Sequence, residues 1–319
     1  MKPLPAARRR MPVKTIVVLL LAVLAAGAGA QQAVQLQKAV ATEAETVYLN
    51  PDTASSRVGQ VRPGMEVGIQ GTSGDFVQVF LGVSGWMRNR GLARYDDPQA
   101  PEVIFGAAAQ LENAAATRDD DRQAAMDAAR LYFSIYNDFP ASARAAEGLY
   151  RGADIQWQVK MGEEPERRTP SERQFPDDSG LRRVISKFPD TPFAARAAYS
   201  LLVEHFTCGD WNEKPECVEK EVHTYQGYVK KYPRGPMAAE AAFDALYRQA
   251  IAWTLYNATG PQHNAGKAES YKRDVATSAA ALQQNYRGTD WAARGAFVAF
   301  RVAQGTPLAV PAKTPLGGP

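Results

Sequence analysis

A phrase that recurs four times constrains this chain more than any other feature. An aromatic–Pro pair, a short polar turn and two adjacent alanines precede an aromatic five residues beyond the first alanine. The copies are Phe139-Pro140 with Ala145, Ala146 and Tyr150; Phe188-Pro189 with Ala194, Ala195 and Tyr199; and Tyr232-Pro233 with Ala238, Ala239 and Phe243. A fourth has Tyr286-Arg287 before Ala292, Ala293 and Phe297. Successive copies lie 49, 44 and 54 residues apart. A repeat of that length with helical periodicity predicts stacked helical hairpins. Adjacent small residues let helices approach closely, and the aromatic fills the groove one turn on. Proline stops each helix because its predecessor is pushed out of the α region.

The helical period runs from about residue 102 to 303. Helix starts are expected at Asp119-Asp120-Asp121, at Ser142 and at Thr191-Pro192, where side chains cap free N–H groups and Pro suits the first turn. Pro236–Tyr256 reads as one long helix and Trp291–Ala303 as the last. Residues 304–319 are rich in Pro and Gly and predict a disordered tail. The extra length of the repeats falls at Lys160–Asp178, Cys208–Cys217 and Asn257–Lys267, which places all three insertions on one edge of the array.

Residues 38–95 follow a different period. Met65, Val67 and Ile69 alternate, as do Phe76-Val77-Gln78-Val79, between turns such as Asn50-Pro51-Asp52 and Arg62-Pro63-Gly64. Five short strands are expected there. Asp96-Asp97-Pro98-Gln99-Ala100-Pro101 reads as a linker, 96–101, between two domains.

The 319 residues carry a formal charge of +3, but this comes from the start of the chain. Residues 1–30 hold five basic residues and no acid, and the remainder carries 32 basic against 34 acidic residues. That balance gives no argument for nucleic acid, which needs clustered cations. The basic start, the apolar run Ile16–Leu24 and Ala28-Gly29-Ala30 form a signal-peptide pattern, complete from Met1 or Met11. Its apolar run is shorter than the roughly 20 residues that span a bilayer, so no stable span is expected after cleavage. The predicted location is periplasmic or secreted. Export would put Cys208 and Cys217 in an oxidising compartment and predicts that they bridge. Their spacing fits neither a redox nor a zinc motif.

Residues 38–95 resemble the bacterial SH3-like family through Val58-Gly59-Gln60-Val61-Arg62-Pro63-Gly64-Met65-Glu66-Val67, Phe76-Val77-Gln78-Val79 and Gly85-Trp86-Met87. They depart from it at Tyr48-Leu49-Asn50-Pro51, where that family has Asn-hydrophobic-Arg. The resemblance implies a small barrel that binds cell-wall peptides or acts as a spacer. Residues 102–303 resemble tetratricopeptide-like repeats of bacterial envelope proteins, of the barrel-assembly lipoprotein and Tol–Pal coordinator types. The residues that carry this likeness are Val184–Pro189 and Tyr228–Pro233 with the alanines after them. The repeats here are longer than the usual 34 residues, and no lipid-attachment Cys stands near the cleavage site. The likeness implies a concave surface for peptides or partner proteins.

The expected fold is therefore multidomain, an all-β SH3-like barrel followed by an all-α TPR-like solenoid. No catalytic or metal-ligand spacing involves His205, His223 or His263, and no nucleotide or nucleophile motif occurs. The function expected is a non-enzymatic scaffold, without cofactor or metal, for an envelope protein, a peptide or peptidoglycan. The alternative is an accessory subunit of a cell-wall enzyme, or a hydrolase. The binding residues expected are Tyr132, Tyr136, Tyr225, Tyr228 and Trp86, although core packing is the default role of each taken singly.

Overall fold

In a computed structural model that describes residues 36–117, 121–162, 177–204, 211 and 214–310, an antiparallel β-region precedes an all-helical one. The strands are β1 (Gln37–Ala41), β2 (Glu45–Tyr48), β3 (Arg57–Val61), β4 (Glu66–Ser73), β5 (Phe76–Phe80), β6 (Ser84–Arg88) and β7 (Leu92–Arg94). They form one sheet in the order β3-β2-β6-β5-β4-β1-β7. Among the described residues there are nine helices. They are α1 (Ala100–Thr117), α2 (Arg122–Asp138), α3 (Ala145–Gly162), α4 (Ser179–Lys187), α5 (Pro192–Glu204), α6 (Pro215–Lys231), α7 (Ala238–Asn257), α8 (Ala265–Asn285) and α9 (Asp290–Ala303). None of them is long and apolar enough to cross a membrane.

Seven strands form where period-2 reading expects five. β1 escapes that reading because it is covered on both faces. Ala39 and Ala41 enter the core of the sheet with Val47, Val61, Val67, Val77 and Met87. Val40, on the other face, joins Ala93 of β7 and Ala100, Ile104, Leu131 and Ile135 of the first two helices. A strand buried on both sides shows a continuous apolar run and no alternation. The six residues 96–101 carry the start of α1, with Ala100 and Pro101 buried. From Lys38 onward the described residues form one compact unit. Gly64 marks the closest approach of sheet and helix. Its φ is +81°, and a Cβ there would lie 2.7 Å from Cβ of Arg130 on α2. The Arg130 Nε–H donates to the Pro63 carbonyl at 3.2 Å.

The four repeat turns fold alike. Phe139, Phe188, Tyr232 and Tyr286 each close a helix at φ between −125° and −132° with ψ of 37–57°. Each N–H donates to the carbonyl four residues back, on Ile135, Val184, Tyr228 and Leu282. The fourth copy keeps this geometry with Arg287 in place of Pro, so the aromatic and its N–H bond define the turn. Two of the helices that follow these turns are capped by a threonine, while α7 has Met237 at that position with no side-chain cap. Thr191 and Thr289 accept from the Ala194 and Ala292 N–H groups at 3.3 and 3.2 Å. Asp121 caps α2 through the Ala124 N–H at 3.0 Å, while Asp119 and Asp120 lie outside the described residues. The long helix expected from Pro236 begins at Ala238.

The first alanine of every pair is buried. The aromatic five residues later meets an aromatic of the following hairpin in three copies. Tyr150 stacks on Phe193 at 5.9 Å, Tyr199 packs on Tyr228 at 5.5 Å, and Phe243 packs on Trp291 at 5.3 Å between ring centroids. Such pairs add about 0.5–1.5 kcal/mol beyond the area they bury.

Candidate functional site

The repeat chemistry leaves a crease at α7. Helices α6 and α8 both flank α7, and the alanines of the repeat phrase are too small to fill the space between them. The resulting groove has a volume of about 270 Å³. Ala242 and Ala245 form its floor, Val229, Ala281, Leu282 and Tyr286 its apolar walls, and Gln226, Lys230, Ser278 and Asn285 its polar rim. The volume suits one or two apolar side chains. Tyr286 is fixed at one end by donating its hydroxyl to the Pro233 carbonyl at 3.0 Å. An apolar floor with a few convergent amides is the arrangement that holds a peptide: side chains fill the hollow and rim amides bond its backbone.

Beneath α7 a buried polar network keeps the helices in register. The Arg248 guanidinium donates to Glu221 of α6 at 2.6 Å and to Asp244 at 3.3 Å. Glu221 also accepts the Trp211 indole N–H at 3.0 Å, and the Tyr199 hydroxyl of α5 donates to Asp244 at 2.7 Å. Burial raises the Asp244 carboxyl above its ordinary range in spite of the neighbouring Arg248. Glu240, one turn earlier, is raised by burial and by Asp244. These two carboxyls form a coupled pair, but Asp244 is already held by Tyr199 and Arg248, and neither lines the groove. Cys217, on α6, is buried and disulfide-bonded. Cys208 lies outside the described residues, as do most of the insertion Lys160–Asp178 and His205.

A second hollow, of about 290 Å³, lies between α1, α2 and α3, lined by Glu112, Ala115, Ala116, Ala125, Asp154, Ile155, Gln158 and Val159. Asp154 accepts from the Gln158 side chain at 2.8 Å and from the Ser200 hydroxyl at 3.4 Å. Burial raises its carboxyl above the ordinary value of 3.8, with Glu112 raising it further and Arg196 opposing. A group whose pKa is higher folded than unfolded binds more protons in the folded state. Its contribution to stability is therefore full at low pH and lost as pH rises through the folded pKa. Asp154→Asn is expected to remove that loss. The melting temperature of the variant relative to wild type should rise as pH increases above the ordinary carboxyl value of 3.8. A pH-independent difference between the two melting curves would contradict this.

The sheet offers a third, more polar surface. Pro51, Asp52, Thr53, Gly74, Asp75, Phe76, Arg88, Asn89 and Arg90 line a groove of about 560 Å³. Trp86, two residues before Arg88 on β6, is half-buried and paired across strands with Tyr48 and Gln78. Tyr48 meets Phe76 edge-on at 6.4 Å.

The other aromatic positions expected from sequence are placed as follows. Tyr132 is fully buried and donates its hydroxyl to Glu112 at 2.7 Å. Tyr136 is half-buried, edge-on to Phe188. Tyr225 and Tyr228 are buried and brought together around Tyr199, with the Arg248 guanidinium 4.3 Å over the Tyr225 ring. The Tyr228 hydroxyl donates to the Ala195 carbonyl at 2.8 Å. Tyr132, Tyr225 and Tyr228 are thus packed in the core, and Tyr136 and Trp86 are half-buried. Sequence reasoning missed Gln226, Lys230, Ser278 and Asn285. Their only signal is position: Gln226 and Lys230 each follow an apolar or aromatic residue, Tyr225 and Val229, and Ser278 and Asn285 each precede one, Ala279 and Tyr286. Among the described residues no group of three or more His, Cys, Asp or Glu is placed to hold a metal ion. No protein-family model and no curated protein matches this chain.

Proposed function

We propose that this chain is an exported, non-enzymatic adaptor that holds a peptide segment of an envelope protein in the crease between α6 and α8. The observation that carries the reading is the alanine-floored groove itself, apolar below and rimmed by Gln226, Lys230, Ser278 and Asn285. In this reading the helices are a TPR-like solenoid, supported by the four equivalent aromatic turns, and the sheet is an SH3-like barrel. Export is supported by the signal pattern in residues 1–30 and by the disulfide at Cys217, a bond that persists in oxidising compartments.

A second reading is favoured by the sheet groove. Asp52 and Asp75 line it together with Arg88 and Arg90, which suits a peptide bearing both amine and carboxylate groups, such as the stem of peptidoglycan. The chain would then be a targeting subunit for a cell-wall enzyme. The two readings separate in one experiment. A photoreactive amino acid at Gln226 or Asn285 should capture a partner under the first reading. The same label at Arg88 should capture cell-wall material under the second.

A further inference from the structure

We propose that the outer face of α9 is a dimerisation surface on which a second copy of this chain sits about a twofold axis, its α9 antiparallel to the first. This goes beyond the adaptor reading and does not rest on it.

Helix α9 is apolar on both sides. Ala292, Gly295, Val298 and Val302 face the core. On the opposite side Ala293, Ala296, Phe297, Phe300 and Ala303 are exposed, with Phe297 at 62% and Phe300 at 61%. Apart from the strip of Asp290, Arg294 and Arg301 the helix is apolar around its circumference; a helix apolar on both faces is ordinarily covered on both, and the last helix of a repeat stack ordinarily turns a polar face outward. The next described segment does not cover this one. It leaves α9 and packs on α7, where the Leu308 N–H donates to the Thr254 hydroxyl at 3.2 Å and Leu308 is buried.

The repeat itself says what belongs there. Phe297 is the fourth copy of the aromatic that, as Tyr150, Tyr199 and Phe243, packs on an aromatic of the next hairpin. The surface thus continues an interface already formed three times within the chain. Head-to-tail stacking is blocked, because the other end of the helical array is covered by the sheet through Val40 and Ala93. A surface that cannot pair with the opposite end closes by pairing with itself. Its chemistry is self-complementary. The two phenylalanines are knobs, and Ala293 and Ala296 leave the holes beside them. Asp290 and Arg301, three helical turns apart, lie on the same side as Phe297. With the axis level with Gly295 and Ala296, Asp290 of each copy meets Arg301 of the other.

Two crossed helices bury an area at the low end for specific interfaces, so a dissociation constant on the order of micromolar is expected. Sedimentation equilibrium of the purified chain up to about 0.2 mM should show monomer and dimer only. Phe297→Glu with Phe300→Glu should weaken the dimer at least about 100-fold. Its circular dichroism and melting temperature should be those of the monomer, because both side chains are exposed. Asp290→Arg should weaken the dimer about tenfold, and adding Arg301→Asp should restore it to within about threefold. A wild-type chain that stays monomeric would overturn the proposal, as would a ladder of higher oligomers or a dimer indifferent to the phenylalanine changes. A monomer that dimerises only after removal of residues 311–319 would also overturn it, by showing that the chain covers its own face.

Discussion

Glu221→Ala is expected to lower stability by about 3–5 kcal/mol, the range for removing one partner of a buried ion pair. The Glu221 side chain is 2% exposed and that of Arg248 10%, so solvent cannot replace the lost carboxylate. Truncation removes the guanidinium's shortest contact and leaves it the more distant Asp244 oxygens, takes the acceptor from the Trp211 N–H, and opens a cavity between α6 and α7. For a unit of this size each kcal/mol shifts the melting temperature by about 2–4 °C, so a fall of about 10 °C should be seen by calorimetry. Glu221→Gln should cost less, because the amide oxygen can still accept from one donor. Replacing both partners with apolar residues, Glu221→Leu with Arg248→Met, should recover most of the loss, since a buried pair is offset by its own desolvation. A fall under about 1 kcal/mol for Glu221→Ala would place the pair among ordinary surface contacts.

Gly64→Ala should cost about 2–5 kcal/mol, from two separable terms. A left-handed φ costs an L-residue about 1–2 kcal/mol. The new methyl also meets Cβ of Arg130 at 2.7 Å and the Arg130 carbonyl carbon at 3.0 Å, and overpacking of this kind costs about 1–3 kcal/mol more. Gly74→Ala isolates the first term. Its φ is +56° and no atom lies within 4 Å of the added carbon. Chemical denaturation should therefore show the Gly64 variant destabilised by clearly more than the Gly74 variant. The excess measures the packing of sheet on α2. Because Val40 and Ala93 share a core with Ile104 and Leu131, the Gly64 variant should lower a single unfolding transition. Equal losses in the two variants would mean that the sheet and α2 yield without cost where they touch.

What could be read from sequence was whatever is decided locally. An aromatic and its turn lie within a few residues of one another, so the ends of α2, α4, α6 and α8 were legible, as were the caps at Asp121 and Thr191; the cap at Thr289 was not read from sequence. β1 was not, because the Val40 side of its Ala-Val-Ala run is buried by partners more than fifty residues away. Aromatic stripes announce that a face is covered and leave open what covers it. That is why Tyr225 and Tyr228 stood out as candidates and yet pack around Tyr199. Glu221 and Arg248, 27 residues apart, look like ordinary surface charges until α6 and α7 are laid together. The groove was hidden for a related reason. Its floor is the repeat phrase itself, and its rim comes from polar residues on two helices that only the fold brings opposite each other.

The central claim is that the crease over α7 holds a partner. The most direct measurement places a photoreactive amino acid at Asn285, on the rim, and separately at Ala280, exposed on the far side of α8, and irradiates intact cells. The account predicts one discrete cross-linked partner from Asn285 and none from Ala280. The product should fall at least about tenfold when Ala242→Tyr fills the floor of the groove. Equal labelling from both positions, or a product unchanged by Ala242→Tyr in a variant that melts like wild type, would contradict it.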